Sequence, residues 1–153
     1  MIARIGLIGL MSVLLFSCGE GGWLVEQQFD ETTGGWPAEE SVDFRFANAS
    51  PGSKQLQIDF RFAADYPYQN IWLQLEMTDP QGNLSTLLIG DTLMDVSGAW
   101  IDQPEVGAKV DWRLQPAPTI ELSQSGEYQF RLRQYMRENI LTGVEEVKLK
   151  LVP

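Results

Sequence analysis

The sequence predicts an all-β fold, an antiparallel β-sandwich with a jelly-roll-like Greek key of about eight or nine strands. Apolar and polar residues alternate, as in residues 55–62, where Leu56, Ile58, Phe60 and Phe62 form the apolar set. That period of two places one side of a strand in a core and the other in water. Turn-forming residues separate the alternating segments, and no stretch after residue 22 has a convincing helical period.

The alternating segments predict strands in chain order. They are residues 23–29, 42–46, 55–62, 71–78, 84–89, 110–114, 119–122, 128–133 and 145–152. The apolar phase of these segments predicts a shared core that includes Phe44, Phe60, Leu73, Trp112, Phe130 and Leu149. The spacing from Leu122 through Gly126 to Tyr128 is typical of a tyrosine corner, in which the phenol holds the loop before a strand.

The N-terminus has the pattern of a signal peptide. Arg4 precedes residues 5–16, which carry no charge and, as a helix, span about 18 Å, too short for a bilayer core. Cys18 then follows Leu15 and Ser17 as in a bacterial lipobox. We therefore predict a removed signal peptide at 1–17, a lipidated tether at 18–22 and a β-sandwich domain at 23–153. The alternative is an ordinary signal peptide with an incidental cysteine.

Acyl chains such as palmitate on Cys18 would attach the chain to a membrane, since two or three chains hold firmly where one is marginal. The formal net charge is −10, and removing Arg4 with the signal makes it more negative. Such a charge repels phosphate backbones, so we expect no nucleic-acid binding. The chain has no histidine, and its one cysteine cannot form an internal disulfide. We expect no cofactor, no metal and no catalytic residues.

Three stretches together resemble the gliding motility lipoprotein H family (GldH) of Bacteroidota. They are residues 64–73, residues 91–93 leading to 98–100, and residues 133–139 followed by 141–144. The resemblance implies a cell-envelope lipoprotein needed for gliding, associated with machinery linked to type IX secretion, and with no known enzymatic activity. The expected location is the outer membrane, and the expected partners are other envelope or motility proteins.

Candidate partner-binding residues lie on the polar phase of the predicted strands. Trp72 is out of phase with Ile71 and Leu73, so it should face water, and Arg131 and Arg133 should also point outward. Tryptophan and arginine are enriched at binding hot spots. The competing interpretation is that the tether or a long loop covers Trp72.

Arg137 and Trp100 are further candidates in predicted loops. Arg137 contacts a partner or belongs to a structural turn, with Asn139 in a left-handed conformation and the charges paired locally. Trp100 either closes one end of the sandwich or forms a ligand platform.

Carboxylates do not point to one reaction or ligand. Asp91, Asp95 and Asp102 lack the spacing of a calcium loop, and carboxylate pairs for glycoside hydrolysis need not be neighbours in sequence. Two functions from different classes therefore stay open. One is a lipid-anchored interaction component of a motility or secretion assembly, and the other is a glycan-binding module.

Overall fold

The computed structural model describes residues 22–30, 32–102 and 107–153. These residues form eleven β-strands, all paired antiparallel, which confirms the predicted all-β sandwich. The strands are β1 (Val25–Gln28), β2 (Gly35–Pro37), β3 (Val42–Asn48), β4 (Gly52–Ala63), β5 (Asn70–Thr78), β6 (Leu84–Thr92), β7 (Lys109–Arg113), β8 (Thr119–Leu122), β9 (Gly126–Gln134), β10 (Ile140–Thr142) and β11 (Val144–Val152).

Two main sheets pack around one core. Sheet 1 has the order β1-β11-β4-β7, with β8 also paired to β4, and sheet 2 has the order β3-β9-β5-β6. Among the described pairs, only β5 and β6 are consecutive in the chain. Most neighbours therefore meet because the chain crosses from one sheet to the other, as in Greek-key connections.

The nine predicted strands are all present, and two short strands were not predicted. β2 and β10 have three residues each and pair with one another at one end of the sandwich. β2 could not be predicted from periodicity because it is only three residues long and contains Pro37. Trp36 in β2 is fully buried and stacks on Phe29 with ring centroids 5.1 Å apart, so this small sheet extends the core.

The predicted core is confirmed. All six side chains named from the apolar phase are buried, at 7% exposure or less. Phe44 and Phe130 lie opposite each other in β3 and β9, and their rings stack with centroids 4.6 Å apart. Burying a side chain of this size contributes about 1.5–3 kcal/mol, so the shared core is the main source of stability.

The tyrosine corner is also confirmed. The Tyr128 hydroxyl accepts a hydrogen bond from the Gln124 N–H at 3.0 Å and donates to the Gln124 carbonyl at 3.3 Å. Asn48 donates to the same carbonyl at 2.7 Å, and the Gln124 amide reaches Asp79 at 3.4 Å. These bonds hold together the turns after β3, β5 and β8, which share one end of the sandwich.

A β-bulge in β11 keeps its two faces distinct. The register shifts between Val144 and Glu146, so two residues of β11 occupy the space of one opposite β4. Val144 lies opposite Phe62 and Val147 opposite Phe60, which puts both valines in the core. Glu146 is thereby returned to the outer face of sheet 1.

Candidate functional site

Trp72 lies on the outer face of sheet 2, as the sequence predicts. Its side chain is 46% exposed, whereas Ile71 and Leu73 on either side are fully buried. Its backbone is fixed, because the Trp72 carbonyl accepts the Tyr135 N–H at 2.7 Å. No loop of the described residues covers this indole, and the tether of the competing interpretation lies outside the described residues except for Gly22.

The Trp72 ring rests on the backbone of Gly90 in the neighbouring strand β6. A Cβ atom built on Gly90 would lie 2.6–2.8 Å from three atoms of the six-membered indole ring. Three similar distances mean that one ring face lies flat on Gly90. The glycine therefore lets the indole lie down on the sheet, where its position is fixed before any partner arrives.

Arg131 and Arg133 lie on the same outer face, on β9 beside β5. Arg133 is opposite Gln74 and Arg131 opposite Glu76. Arg131 is 3.4 Å from the carboxylate of Asp43 on the other neighbouring strand, with both side chains about half exposed. The structure thus brings together Trp72 and the two arginines that the sequence singled out.

Arg133 is the least satisfied of these side chains. Its Nε atom is buried and has no hydrogen-bond partner in the described part of the chain. No carboxylate of the described residues forms an ion pair with its guanidinium, in contrast to Arg45, Arg61, Arg113 and Arg131. A buried donor without an acceptor is unfavourable, and this cost disappears only if the side chain turns so that an acceptor reaches Nε.

Two residues of this face were not predicted from the sequence. Tyr135 lies opposite Trp72 and is 51% exposed, and Leu88 lies opposite Gln74 and is 52% exposed. Their exposure depends on the pairing of β5 with β9 and β6, which alternation alone does not give. We define the Trp72 face as Trp72, Leu88, Arg131, Arg133 and Tyr135.

The turn around Arg137 differs from the prediction. The left-handed residue is Arg137, with φ of 62°, and not Asn139. Local charge pairing is wrong as well, because Glu138 accepts a hydrogen bond from Tyr68 at 2.7 Å and forms no ion pair with Arg137. The buried Gln134 shapes this turn by donating to the Glu138 carbonyl at 2.6 Å. Arg137 is exposed at the tip, and its proposed partner contact stays a prediction.

Trp100 closes one end of the sandwich and does not form an open platform. Its ring packs against Phe62 and Trp112, with centroids 5.5 and 6.1 Å away, and its N–H donates to the Ala64 carbonyl at 3.2 Å. This packing agrees with the first of the two interpretations. The predicted role of Trp100 in partner binding stays a prediction.

The acidic loop residues have structural roles. Asp91 accepts the Trp112 indole N–H at 2.7 Å and so links β6 to β7 across the two sheets. Asp95 accepts from the Ser97 hydroxyl and from backbone N–H groups of its turn, which lowers its pKa. Among the described residues, no three His, Cys, Asp or Glu side chains are grouped to hold a metal ion.

The outer face of sheet 1 carries charges that satisfy one another. In one cross-strand row Glu26, Lys148, Asp59 and Arg113 are consecutive neighbours with alternating sign. Arg113 and Asp59 form two hydrogen bonds of 2.8 Å, and this partner raises the pKa of Arg113.

A second row lies beside it. Gln28, Glu146, Arg61 and Asp111 follow one another across the same four strands. Arg61 donates to Asp111 at 2.8 Å, and this hydrogen bond lowers the pKa of the Asp111 carboxyl. We call these two rows the paired-charge face. Its carboxylates Asp59 and Asp111 each accept a hydrogen bond from an arginine.

Trp23 covers part of the paired-charge face. The ammonium groups of Lys148 and Lys150 lie 5.7 and 5.0 Å from its ring centroid, which is cation–π distance. The predicted lipidation site, Cys18, lies outside the described residues. The described residues contain no helix that is long and apolar enough to span a membrane.

The described chain is thus a β-sandwich domain with one self-neutralised outer face and one that presents aromatic and arginine side chains. The family model for the GldH lipoprotein matches residues 24–151, and the chain belongs to that family. It is 24% identical over 143 residues to a protein of Christiangramia forsetii named gliding motility lipoprotein GldH homolog, covering 92% of this chain and 86% of the relative. The resemblance found in the sequence is confirmed, and the chain is a gliding-motility-associated lipoprotein of the cell envelope by family.

Proposed function

We propose that this protein is a lipid-anchored, non-enzymatic component of an outer-membrane assembly that supports gliding motility and is associated with the type IX secretion machinery. Family membership supports the setting. The anchor would be acyl chains on Cys18. The domain would act by holding another envelope protein through the Trp72 face.

The observation that carries this proposal is the combination of Trp72 and Arg133 on one fixed surface. Trp72 offers an exposed ring face on a rigid support, and Arg133 has a buried Nε without an acceptor. A partner that supplies an apolar group to the ring and a carboxylate to the guanidinium would gain free energy, because the Arg133 side chain can turn its unmatched Nε from the buried position towards that carboxylate. An acidic patch on the partner protein fits both arginines.

The test is charge reversal of Arg131 and Arg133 to glutamate in the native bacterium. We expect gliding to be impaired while the melting temperature and membrane attachment stay normal. The matched control is Arg45→Glu, which changes the same charge on edge strand β3 of the same outer face. Normal gliding in the double variant, or equal impairment by the control, would contradict the proposed contact.

The anchor is tested separately through Cys18→Ser. Because no other side chain of this sequence is a thiol, the substitution should abolish acylation and release the domain from membranes. Mass spectrometry of the mature protein checks this directly. An unmodified Cys18 peptide from the membrane fraction would rule out lipidation.

A glycan-binding role is the second candidate, because the flat exposed ring of Trp72 is also a surface on which a sugar could stack. Trp72→Ala should weaken binding to soluble envelope glycans if that role holds. Under the protein-contact proposal, the same variant loses a crosslinked protein partner and leaves glycan binding unchanged.

A further inference from the structure

β6 is an edge strand without the usual protection against pairing. It has nine residues, pairs in the described chain only with β5, and keeps one register along its whole length. Its sequence contains no lysine, arginine or proline, and Leu84, Leu87 and Leu88 are 63%, 40% and 52% exposed. Its one charged residue, Asp91, lies near the end of the strand and accepts hydrogen bonds from Trp112 and the Gln115 N–H, so the open apolar edge is the part before Asp91. Long apolar edges of this kind are templates for an added strand, because one row of backbone groups is unpaired.

The other edges of the two sheets differ from β6. β1 has four residues and carries Glu26, and β7 has five residues with Lys109, Asp111 and Arg113. β3, at the opposite edge of sheet 2, exposes Asp43 and Arg45. Short length and charged side chains are the usual means of blocking edge pairing. The free edge is therefore a local property of β6 and not a general one of this sandwich.

We propose that β6 is a docking edge to which a partner protein adds an extended segment as a further strand of sheet 2. This inference deepens the proposed function, on which it rests for the partner being a protein. The edge lies next to the Trp72 face, since Trp72 rests on Gly90 of β6. Side chains on one side of the added strand would reach Leu88 and the indole, and those on the other side would reach Leu87.

Charge identifies the chemistry of the added segment. Residues 62–108, which include β5 and β6, contain no lysine or arginine at all. Their charged residues are Asp65, Glu76, Asp79, Asp91, Asp95, Asp102 and Glu105. An apolar segment flanked by lysine or arginine is attracted to this edge, whereas a second copy of the chain would bring two acidic edges together. The occupant is therefore a basic, extended segment of another protein.

The test uses the full lipidated chain in detergent micelles and a synthetic peptide in which valine and threonine alternate between pairs of lysines. We expect the peptide to slow hydrogen exchange of alternate amides within residues 84–92 by at least about tenfold, because open edge amides become hydrogen-bonded. Exchange in β1 and β7 should not change. A peptide with glutamate in place of lysine, and one with proline in place of threonine, should have no effect.

Leu88→Lys should abolish the protection, because it places a charge on the apolar edge. The matched control Thr119→Lys adds the same charge on β8 of sheet 1, where Thr119 is also exposed, and should leave peptide binding unchanged. Both variants must keep the wild-type melting temperature for the comparison to count.

Three results would overturn the docking edge: no protection by the lysine peptide, equal protection by the glutamate peptide, or protection of β6 that rises with protein concentration alone. The last result would identify a second copy as the occupant. A negative peptide result together with impaired gliding of the Arg131 and Arg133 variant removes the docking edge and leaves the proposed function standing. Peptide binding together with normal gliding of that variant supports the edge and removes the arginine contact.

Discussion

The two outer faces of the sandwich differ in how their charged side chains are paired. On the paired-charge face, acidic and basic side chains alternate across four strands, and Arg61 and Arg113 each bond a carboxylate at 2.8 Å. On the Trp72 face, Arg131 reaches Asp43 only at 3.4 Å, and the buried Nε of Arg133 has no acceptor in the described chain. The charged groups of one face satisfy one another, and the other face has a donor without an acceptor in the described chain.

The difference in charge pairing between the two faces indicates which face is the better candidate for binding a partner. Ion pairs that satisfy both partners leave little free energy for an added ligand, because new contacts must replace existing ones. Unmatched donors and a pre-positioned aromatic ring leave more free energy available for binding a ligand. By that criterion the Trp72 face, and not the depression beside Trp23 on sheet 1, is the surface to test.

Both faces belong to sheets that share one core, and Phe60→Ala tests this. It has the largest expected effect on the free energy of unfolding among these variants. Phe60 is buried in β4 of sheet 1. Its truncation should lower the free energy of unfolding by about 3–5 kcal/mol, because a cavity opens between the sheets. Urea denaturation measures the loss. The control Leu88→Ala, at an exposed site, should change stability by less than about 0.5 kcal/mol. Comparable effects of the two variants would refute the shared core.

Gly90→Ala tests the support beneath Trp72. A methyl group at this position meets the indole ring at 2.6 Å, so the ring must move away. We expect a loss of about 1–3 kcal/mol from the crowding. In a Trp72→Ala background the same change should cost far less, since the ring is gone. A double-mutant cycle by denaturation measures the coupling, and additive effects would show that the indole does not depend on Gly90.

Removing one arginine from each face tests the charge comparison itself. Arg113→Gln breaks a two-hydrogen-bond pair with Asp59 and should lower stability by up to about 1 kcal/mol, since the arginine is half exposed. Arg133→Gln should leave stability unchanged within about 0.5 kcal/mol, or raise it, because it removes an unsatisfied buried donor. Thermal melting of both variants measures these two changes in stability. A larger loss from Arg133→Gln would reverse the assignment of the two faces.

Acid titration gives the smallest expected effect. The hydrogen bond from Arg61 lowers the pKa of Asp111 in the folded state, so the unfolded chain binds the proton more readily. The stability from this pair is present above the unfolded pKa of about 3.9 and is lost as pH falls through the lower folded pKa. Arg61→Gln should flatten the fall in melting temperature below pH 4. An unchanged slope in that variant would contradict the pairing.

Much of the fold could be predicted because strand alternation is a local signal. The six core side chains and the tyrosine corner follow from residues within one or two strands of each other. β2 and β10 could not be predicted in this way, since three residues are too few to show a period. The position of Glu146 was also hidden, because the bulge at residue 145 shifts the phase of β11, and only its partner strand reveals that.

The candidate site was predicted in part for the same reason. Exposure of Trp72 follows from its phase in one strand. The support by Gly90, the neighbouring Tyr135 and the absence of an acceptor for Arg133 all depend on which strands pair and in what register. The turn at Arg137 was assigned to the wrong residue because a left-handed arginine is rare, and the turn is held here by the hydrogen bond from the buried Gln134 to the Glu138 carbonyl.

The contact of Trp23 with Lys148 and Lys150 would orient the domain on a membrane if Cys18 carries the predicted acyl chains. An acyl anchor on Cys18 would be separated from Trp23 by at most about 18 Å of extended chain. Trp23 lies over the middle of sheet 1, because Lys148 and Lys150 pair with Asp59 and Gln57 in β4. The outer face of sheet 1 would therefore sit on the lipid side, and the Trp72 face, on the opposite side of two sheets about 10 Å apart, would point away from it. A partner would then be met on the side of the domain that is turned away from the bilayer.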